Sequence, residues 1–348
     1  MSSSTGIIRD DLYKEHLSGL PHVESPQRLQ VVYDMLDQAD MAGRFVAISP
    51  RAAIHDELAW VHSESYIQRV TGTDGKPQVS LDPDTQATAL SYQAAKLAAG
   101  GLFSLIDKIF EGTVQNGFAL VRPPGHHAEK DRAMGFCLFN NVALGARYAM
   151  NTYSVIKVLI VDWDLHHGNA TQHTFYEDPA VLYFSTHQFP YYPGSGNLRE
   201  VGSGDGTGFT VNVPLQPGHG DAEFYQIFKQ ILCPIAAAFK PEFILVSAGF
   251  DTYVEDPLGG MRVTPKGYAS FTRIIMDLAN TYCSGKLAIT LEGGYHLGGL
   301  RESVKAVLKE LAQESVLTKG DLESLEQASA PPIIEEVLRV QKPYWPSL

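Results

Sequence analysis

The sequence predicts an α/β protein built around a mostly parallel β-sheet. Three observations carry that expectation. Five short apolar runs stand out: "GFALVRPPG" (117–125), "KVLIVDWD" (157–164), "AVLYFSTHQ" (180–188), "EFILVSAGFD" (242–251) and "KLAITLEGG" (286–294). They are continuously apolar rather than alternating, as strands covered on both faces of a sheet are. Helical stretches lie between most of them, and strand–helix–strand alternation is the signature of a parallel sheet. Each run also ends in polar residues, and ligands of open parallel sheets bind just beyond the carboxyl ends of the strands.

Taken in order, "SPQRLQVVYDMLDQA" (25–39) reads as a helix opened by a Ser cap with Pro26 first. "NNVALGARYAM" (140–150) and "DAEFYQIFKQILCPIAAAF" (221–239) place apolar residues at helical spacing, with Pro234 expected to kink or end the latter. "TPKGYASFTRIIMDLANTYC" starts with Thr264 as N-cap and Pro265 at the first helical position. "GSGDGTG" (202–208) is glycine-rich, but it lacks the Lys-Ser/Thr of a P-loop and the strand-to-helix placement of a dinucleotide fingerprint, so it reads as a turn.

No repeat, low-complexity tract or linker interrupts the chain, so residues 1–348 are expected to form a single domain with a C-terminal extension from about 313. That extension, "PPIIEEVLRVQKPYWPSL", carries apolar and aromatic residues suited to docking on the body or on a second subunit of a homo-oligomer. The chain has 27 Lys and Arg against 39 Asp and Glu, a net charge of −12. Nucleic-acid binding needs a cationic face, so no nucleic-acid partner is expected. Three cysteines (Cys137, Cys233, Cys283) form no CxxC pair and cannot all be bridged, which points to a reducing compartment. The start "MSSSTGIIRDDLYKEH" has no signal pattern and no apolar run is long enough for a bilayer, so a soluble, cytoplasmic protein without a membrane partner is expected.

The chemistry concentrates in "VDWDLHHGN" (161–169). Asp164 and His166 are two apart, so on an extended stretch they point the same way. With Asp251 from another strand end they make three metal ligands, the number a catalytic zinc uses when a position is left open. Two carboxylates are hard donors, so iron(II), cobalt(II) or manganese(II) would compete. A lone Asp-x-His more often only caps a loop; the third carboxylate tips the balance. His126 and His127 follow the rigid Pro-Pro-Gly turn. One imidazole is suited to move a proton and its neighbour to act as a charged electrostatic partner. Asp162 and Asn169 are suited to accept from the far ring nitrogens and fix their tautomers. Tyr295, after Gly293-Gly294, is suited to donate its phenol to a developing oxyanion. The aromatics of "GFC" (135–137) and "FPYYPGSG" (189–196) could wall an apolar channel; taken alone they read as packing. No GxSxG or other nucleophile signature is present.

Together "RPPGHHA", "GFCLFNNVA", "VDWDLHHGN", "AGFD", "DPLGGMRVT" and "LEGGY" resemble the histone deacetylase family over about residues 8–312. Asn169 and the "LEGGY" form resemble its class II branch and the bacterial amidohydrolases related to acetylpolyamine amidohydrolases. The resemblance implies the arginase/deacetylase fold, a central mostly parallel sheet of about eight strands with the site at its carboxyl end. It also implies zinc on Asp164, His166 and Asp251, His127 as general base and then acid, and His126 as electrostatic partner. Tyr295 would stabilise the oxyanion, with Phe136 and Tyr192 flanking a substrate tunnel. A structural potassium would lie at Asp162, the main chain of Asp164 and His166, and Ser185. The sequence departs from the family in Val23, where proline is usual, in Ala170, where glycine is common, and in Tyr192, often phenylalanine.

The expected activity is metal-dependent hydrolysis of an acetyl or other short acyl group from the side-chain amine of lysine, on a peptide, protein or small acylated amine. Acetylated polyamines are the alternative. In polyamine-selective relatives a glutamate gatekeeper follows the third ligand; the matching position in "DTYVEDPLGG" is Leu258, with Glu255 and Asp256 nearby as carboxylates a rotated loop would present at the tunnel mouth. Arginase-type chemistry needs more bridging aspartates than this sequence offers, and a non-enzymatic acyl-lysine binder would not need Tyr295 or the histidine pair.

Overall fold

The computed structural model describes residues 4–346 and 348. Eight strands make one sheet: β1 (Thr5–Ile8), β2 (Val46–Ile48), β3 (Asn116–Ala119), β4 (Val158–Asp162), β5 (Val181–Gln188), β6 (Thr210–Leu215), β7 (Phe243–Ala248) and β8 (Leu287–Leu291). Their order across the sheet is β2-β1-β3-β8-β7-β4-β5-β6, and all neighbouring pairs run parallel. Every residue of β3, β4, β5, β7 and β8 is buried, which is why these five read as unbroken apolar runs. The three strands the sequence reading missed lie towards the two sides of the sheet. β1 and β2 are only four and three residues long, and β6 alternates in "TVNVPL" with Pro214 inside it, as a strand on the outside of a sheet permits.

Helices flank this sheet, the longest spanning Ser91–Phe110, Asn141–Tyr153, Pro265–Tyr282 and Leu297–Leu311. Asn140 caps its helix by accepting from the Ala143 N–H. Three expectations about helices need correcting. The early helix covers Gln27–Leu36 with Pro26, not Ser25, at the N-cap and no side-chain cap, because Pro26 already has helical dihedrals. Thr264 stands at the N-cap of its helix, but its hydroxyl donates to Asp221 Oδ2 (2.6 Å) instead of accepting from the helix. Pro234 does not break the 221–239 stretch: a π-helical turn over Phe228–Leu232 precedes it, so the ring falls in the first turn of the helix Cys233–Phe239, where its missing N–H costs least.

The C-terminal segment docks on the body of its own chain. After the helix Ile333–Gln341, Gln341 Nε2 donates to Thr210 O (3.1 Å) and Trp345 Nε1 to Gly208 O (3.0 Å). The Trp345 indole packs edge-on against Phe209, with ring centroids 5.5 Å apart. No described helix is long and apolar enough to cross a membrane, and all three cysteines are unpaired thiols.

Parallel pairing brings every strand's carboxyl end to the same margin of the sheet. The four central strands, β3, β8, β7 and β4, therefore deliver the segments that follow them to one place: Pro123–His127, Glu292–Tyr295, Gly249–Asp251 and Trp163–His167.

Candidate metal and catalytic site

Asp164, His166 and Asp251 converge, with one ligand-type atom from each lying within 4.8 Å of the others. His166 Nδ1 faces both carboxylates, 3.2 Å from Asp164 Oδ1 and 3.1 Å from Asp251 Oδ2. Both aspartates are fully buried. Their remaining oxygens are committed to main chain: Leu165 N–H donates to Asp251 Oδ1 (2.9 Å) and Gly293 N–H to Asp164 Oδ2 (2.9 Å). A Cβ on Gly293 would collide with both carboxylates, so glycine is what keeps the space in front of them open. Burial and the neighbouring Asp164 push the Asp251 carboxyl up to about 7 despite His166. Two buried carboxylates and one imidazole held this close are a donor set that a divalent cation fits, because its charge removes the mutual repulsion.

The Pro-Pro-Gly-His-His turn is held from below by Glu292, whose Oε2 accepts from the Gly125 N–H (2.6 Å) and the His126 N–H (3.2 Å). Burial lifts the Glu292 carboxyl to about 7 against the His126 charge. His126 Nδ1 donates to Asp162 Oδ2 (3.1 Å), and its Nε2 lies 3.8 Å from Asp164 Oδ1. Burial opposes its protonation, but the Asp164 and Asp162 charges outweigh that and raise it to about 10. His127 Nδ1 meets Asn169 Oδ1 at 2.7 Å. Burial, then the charges of His126 and His166, hold it well below the ordinary imidazole value. The two adjacent rings, 4.0 Å apart between centroids, are thus driven to opposite states, His126 cationic and His127 neutral.

Tyr295 completes the constellation. Gly294 before it has φ +115°, a conformation that needs glycine. Its ring lies under the Arg28 guanidinium, 5.0 Å from the centroid, and burial keeps the phenol protonated far above its ordinary value. Arg28 also donates to Gly294 O and Glu292 O (both 2.6 Å) and pairs with buried Glu24 (2.8 Å), which Arg122 grips as well. This cluster ties the loop before the first helix to the turn that carries Tyr295.

These groups share a cavity lined by His126, His127, His166, Tyr295, Phe136, Tyr192 and Leu258, among others. Tyr192 sets its ring edge-on to His127 (5.3 Å), and Phe136 sets its own edge-on to Tyr295 (6.1 Å). Asp162 and Ser185 are paired in register on β4 and β5, both fully buried. All the sequence-derived candidates thus lie in or directly behind one cavity, except that Glu255 and Asp256 do not supply a carboxylate at its mouth. Glu255 is exposed and beside Tyr253, and the Asp256 carboxylate is consumed by the N–H groups of Leu258, Tyr295 and His296.

Four residues escaped the sequence reading: Glu129 behind Asn169, Glu292 beneath the histidine turn, Arg28 over Tyr295, and Asp84, which lines the cavity and accepts from the Gly135 N–H (3.0 Å). Glu292 had a visible signal, a carboxylate closing a buried strand; Asp84 had none, since its partner is 51 residues away.

A histone deacetylase domain model matches residues 22–311. The chain belongs to the histone deacetylase family. Among curated relatives, histone deacetylase 15 of Arabidopsis thaliana is 41% identical over 100% of this chain and 64% of its own length. The human polyamine deacetylase HDAC10 is 40% identical over 94% of this chain and 50% of its own. The chain thus spans roughly half to two thirds of these relatives. The crystal structure of the HDA15 HD domain superposes with a TM-score of 0.90 at 41% identity, covering 100% of this chain and 96% of that one. The fold is accordingly the arginase/deacetylase fold of the histone deacetylases; in it Val23 is exposed, and Ala170 is buried in the helix Asn169–Phe175.

Proposed function

We propose that this histone deacetylase family member is a metal-dependent deacetylase, residues 1–348 acting as one catalytic unit, that removes acetyl or another short acyl group from the side-chain amine of lysine. The observation that supports it most is the convergence of a three-ligand set, a neutral histidine beside a charged one, and a protonated tyrosine on one cavity with apolar walls. A divalent ion on Asp164, His166 and Asp251, zinc in this reading with iron(II) and cobalt(II) as competitors, supplies Lewis-acid polarisation of the amide and lowers the pKa of water.

The protein's own residues do the rest. His127 donates Nδ1–H to Asn169, and its Nε2 has no hydrogen-bond partner among the described residues. That nitrogen takes a proton from the attacking water and returns it to the departing amine. The His126 cation lowers the energy of the negative charge that develops as water adds, and the Tyr295 hydroxyl donates to the amide oxygen as it gains that charge. Phe136, Tyr192 and Leu258 receive the aliphatic stem of the lysine and exclude water. A potassium ion beside Asp162, Ser185 and the main chain of Asp164 and His166 belongs to the same reading, supported by the register pairing of the two buried side chains.

The acetylpolyamine alternative draws support from the human polyamine deacetylase, as similar to this chain as the plant histone deacetylase is. Against it, Leu258 offers no charge to a distal ammonium and Asp256 has none to spare; the carboxylate that does line the cavity is Asp84, which accepts from the Gly135 N–H. Turnover of the metal-loaded protein on matched panels of acetyl-lysine peptides and acetylated polyamines tests the choice. A higher kcat/KM on acetylspermidine or acetylputrescine than on every peptide would overturn the lysine reading.

A further inference from the structure

Asn169 holds His127 only if its amide faces the right way. Its two ends look alike in shape, and a half-turn about the last bond would present Nδ2 to His127. An N–H donor there would force the imidazole to accept at Nδ1 and to carry its proton on Nε2, the nitrogen that faces the chemistry. Something must choose between these states.

Two atoms behind Asn169 make the choice. Asn169 Nδ2 lies 2.5 Å from Glu129 Oε1 and 3.6 Å from Met134 Sδ, so both of its hydrogens point at acceptors. Glu129 also receives His173 Nδ1 at 2.8 Å. Burial works against its charge, but the hydrogen bonds from His173 and Asn169 and the Arg132 charge outweigh it, and the carboxyl stays below its ordinary value. An ionised carboxylate only accepts, so it takes the NH₂ end of Asn169 and rejects the oxygen. The main chain of Glu129 is fixed independently: its carbonyl accepts from His62 Nδ1 (2.9 Å), and the next carbonyl, of Lys130, accepts from the Ser63 N–H (2.7 Å). The backbone that carries the carboxylate is therefore held independently of Asn169.

We propose that Glu129 is a positioning residue for the deacetylase: by fixing the orientation of the Asn169 amide it locks His127 in the Nδ1–H tautomer and leaves Nε2 bare. The inference rests on the role given to His127 in the preceding section. It carries the orienting chain one residue further out, from ring to amide to carboxylate, and ends it at His173, which is half exposed at the surface. No contact of Glu129 with substrate is involved, since Asn169 stands between it and His127.

The test compares Glu129→Ala and Glu129→Gln in the zinc-loaded protein. Loss of such an outer partner costs about 10–100-fold in activity in comparable sites. Glu129→Ala is expected to lower kcat by that factor with KM nearly unchanged. Glu129→Gln keeps an acceptor oxygen at the same reach and is expected to restore most of kcat. Long-range proton–nitrogen NMR of ¹⁵N-histidine protein, with His127 assigned by His127→Gln, reads the tautomer directly. The wild type and Glu129→Gln should show His127 protonated at Nδ1, and Glu129→Ala should lose that signature. A His127 that remains Nδ1–H in folded Glu129→Ala overturns the proposal, whatever happens to turnover. If instead the wild type turns over no acylated amine, the proposed function fails while the tautomer comparison still decides the role of Glu129.

Discussion

Asp256 holds the main chain of Tyr295: its Oδ2 accepts the Tyr295 N–H at 2.7 Å and the His296 N–H at 3.0 Å, while Oδ1 accepts from Leu258 at 3.0 Å. One buried carboxylate thus couples the loop after Asp251 to the turn that aims the phenol. Hydrogen bonds to a charged acceptor contribute about 1.5–3 kcal/mol each. Asp256→Ala should therefore lower stability by more than about 2 kcal/mol, and the loosened turn should reduce kcat by up to about 10²-fold. Denaturant melts and steady-state kinetics at unchanged metal content check both. An unaltered kcat would mean that Tyr295 is aimed by other contacts.

Removing a ligand should remove the metal. Asp251→Ala leaves Asp164 and His166 as a two-ligand set, and both bound zinc and turnover should fall. Elemental analysis is the measurement, and full occupancy in the mutant would dismiss the assignment.

Proton transfer and oxyanion stabilisation should separate from metal binding. His127→Ala should lose about 10²–10⁴-fold in kcat while keeping its metal. Tyr295→Phe should lose about 10²–10³-fold, as deletion of one donor to an oxyanion does. Near-wild-type kcat in either mutant rules out that residue's role.

Selectivity should turn on Leu258. It lines the cavity, and its carbonyl accepts from the Tyr191 hydroxyl (2.9 Å), which fixes the loop and directs the side chain's position. Leu258→Glu adds a carboxylate there and should raise kcat/KM for acetylspermidine relative to an acetyl-lysine peptide. An unmoved ratio would show that selectivity is set elsewhere.

Acid should destabilise the fold through two histidines that are buried in the neutral state. His62 donates Nδ1–H to Glu129 O and accepts the Asn140 N–H at Nε2 (3.0 Å), so both nitrogens are committed to the neutral ring, and burial pushes it down to about 4. His187 is similarly spent on Ser185 and Gly196 O, and burial also holds it at about 4. Above the unfolded value near 6.5 both states are neutral and the full stability is present. As pH falls from about 6.5 towards 4, the unfolded chain binds protons that the folded one refuses, and stability is lost. At pH 5 each ring accounts for about 2 kcal/mol of that loss. The slope of unfolding free energy against pH between 6.5 and 5 should shrink by about one proton in His62→Gln; an unchanged slope would mean that His62 does not carry it.

What could be read in the sequence follows from where the signal was local. Strands β3, β4, β5, β7 and β8 were legible because burial on both faces leaves an unbroken apolar run, and the chemistry was legible because it stands at their ends. Asp164 and His166 announced themselves by two-residue spacing. β1 and β2 lie in no long apolar run, and β6 gave no unbroken one because Thr210, Asn212 and Pro214, half its residues, are polar or strand-averse. Asp256 was misjudged for a different reason: a carboxylate in a loop reads as a solvent-facing charge, and only the folded chain shows three N–H groups turned towards it. Glu129 was passed over on the same ground. Residues that act through others leave no pattern along the chain, because their partners are chosen by topology.

The docking of Trp345 and Gln341 on β6 has a consequence for how this molecule behaves among its own copies. β6 pairs with β5 on one side only, and the Phe209 carbonyl is turned towards β5, so the alternate carbonyls of Gly208 and Thr210 face outward. Outward-facing carbonyls in a row are a template on which a strand from another chain can add, the first step of aggregation. Here an indole N–H and an amide N–H already occupy both of them. Pro214 further along withholds the N–H that would answer a newcomer. The C-terminal tail is thus a cover that keeps a strand from another chain off this edge of the sheet.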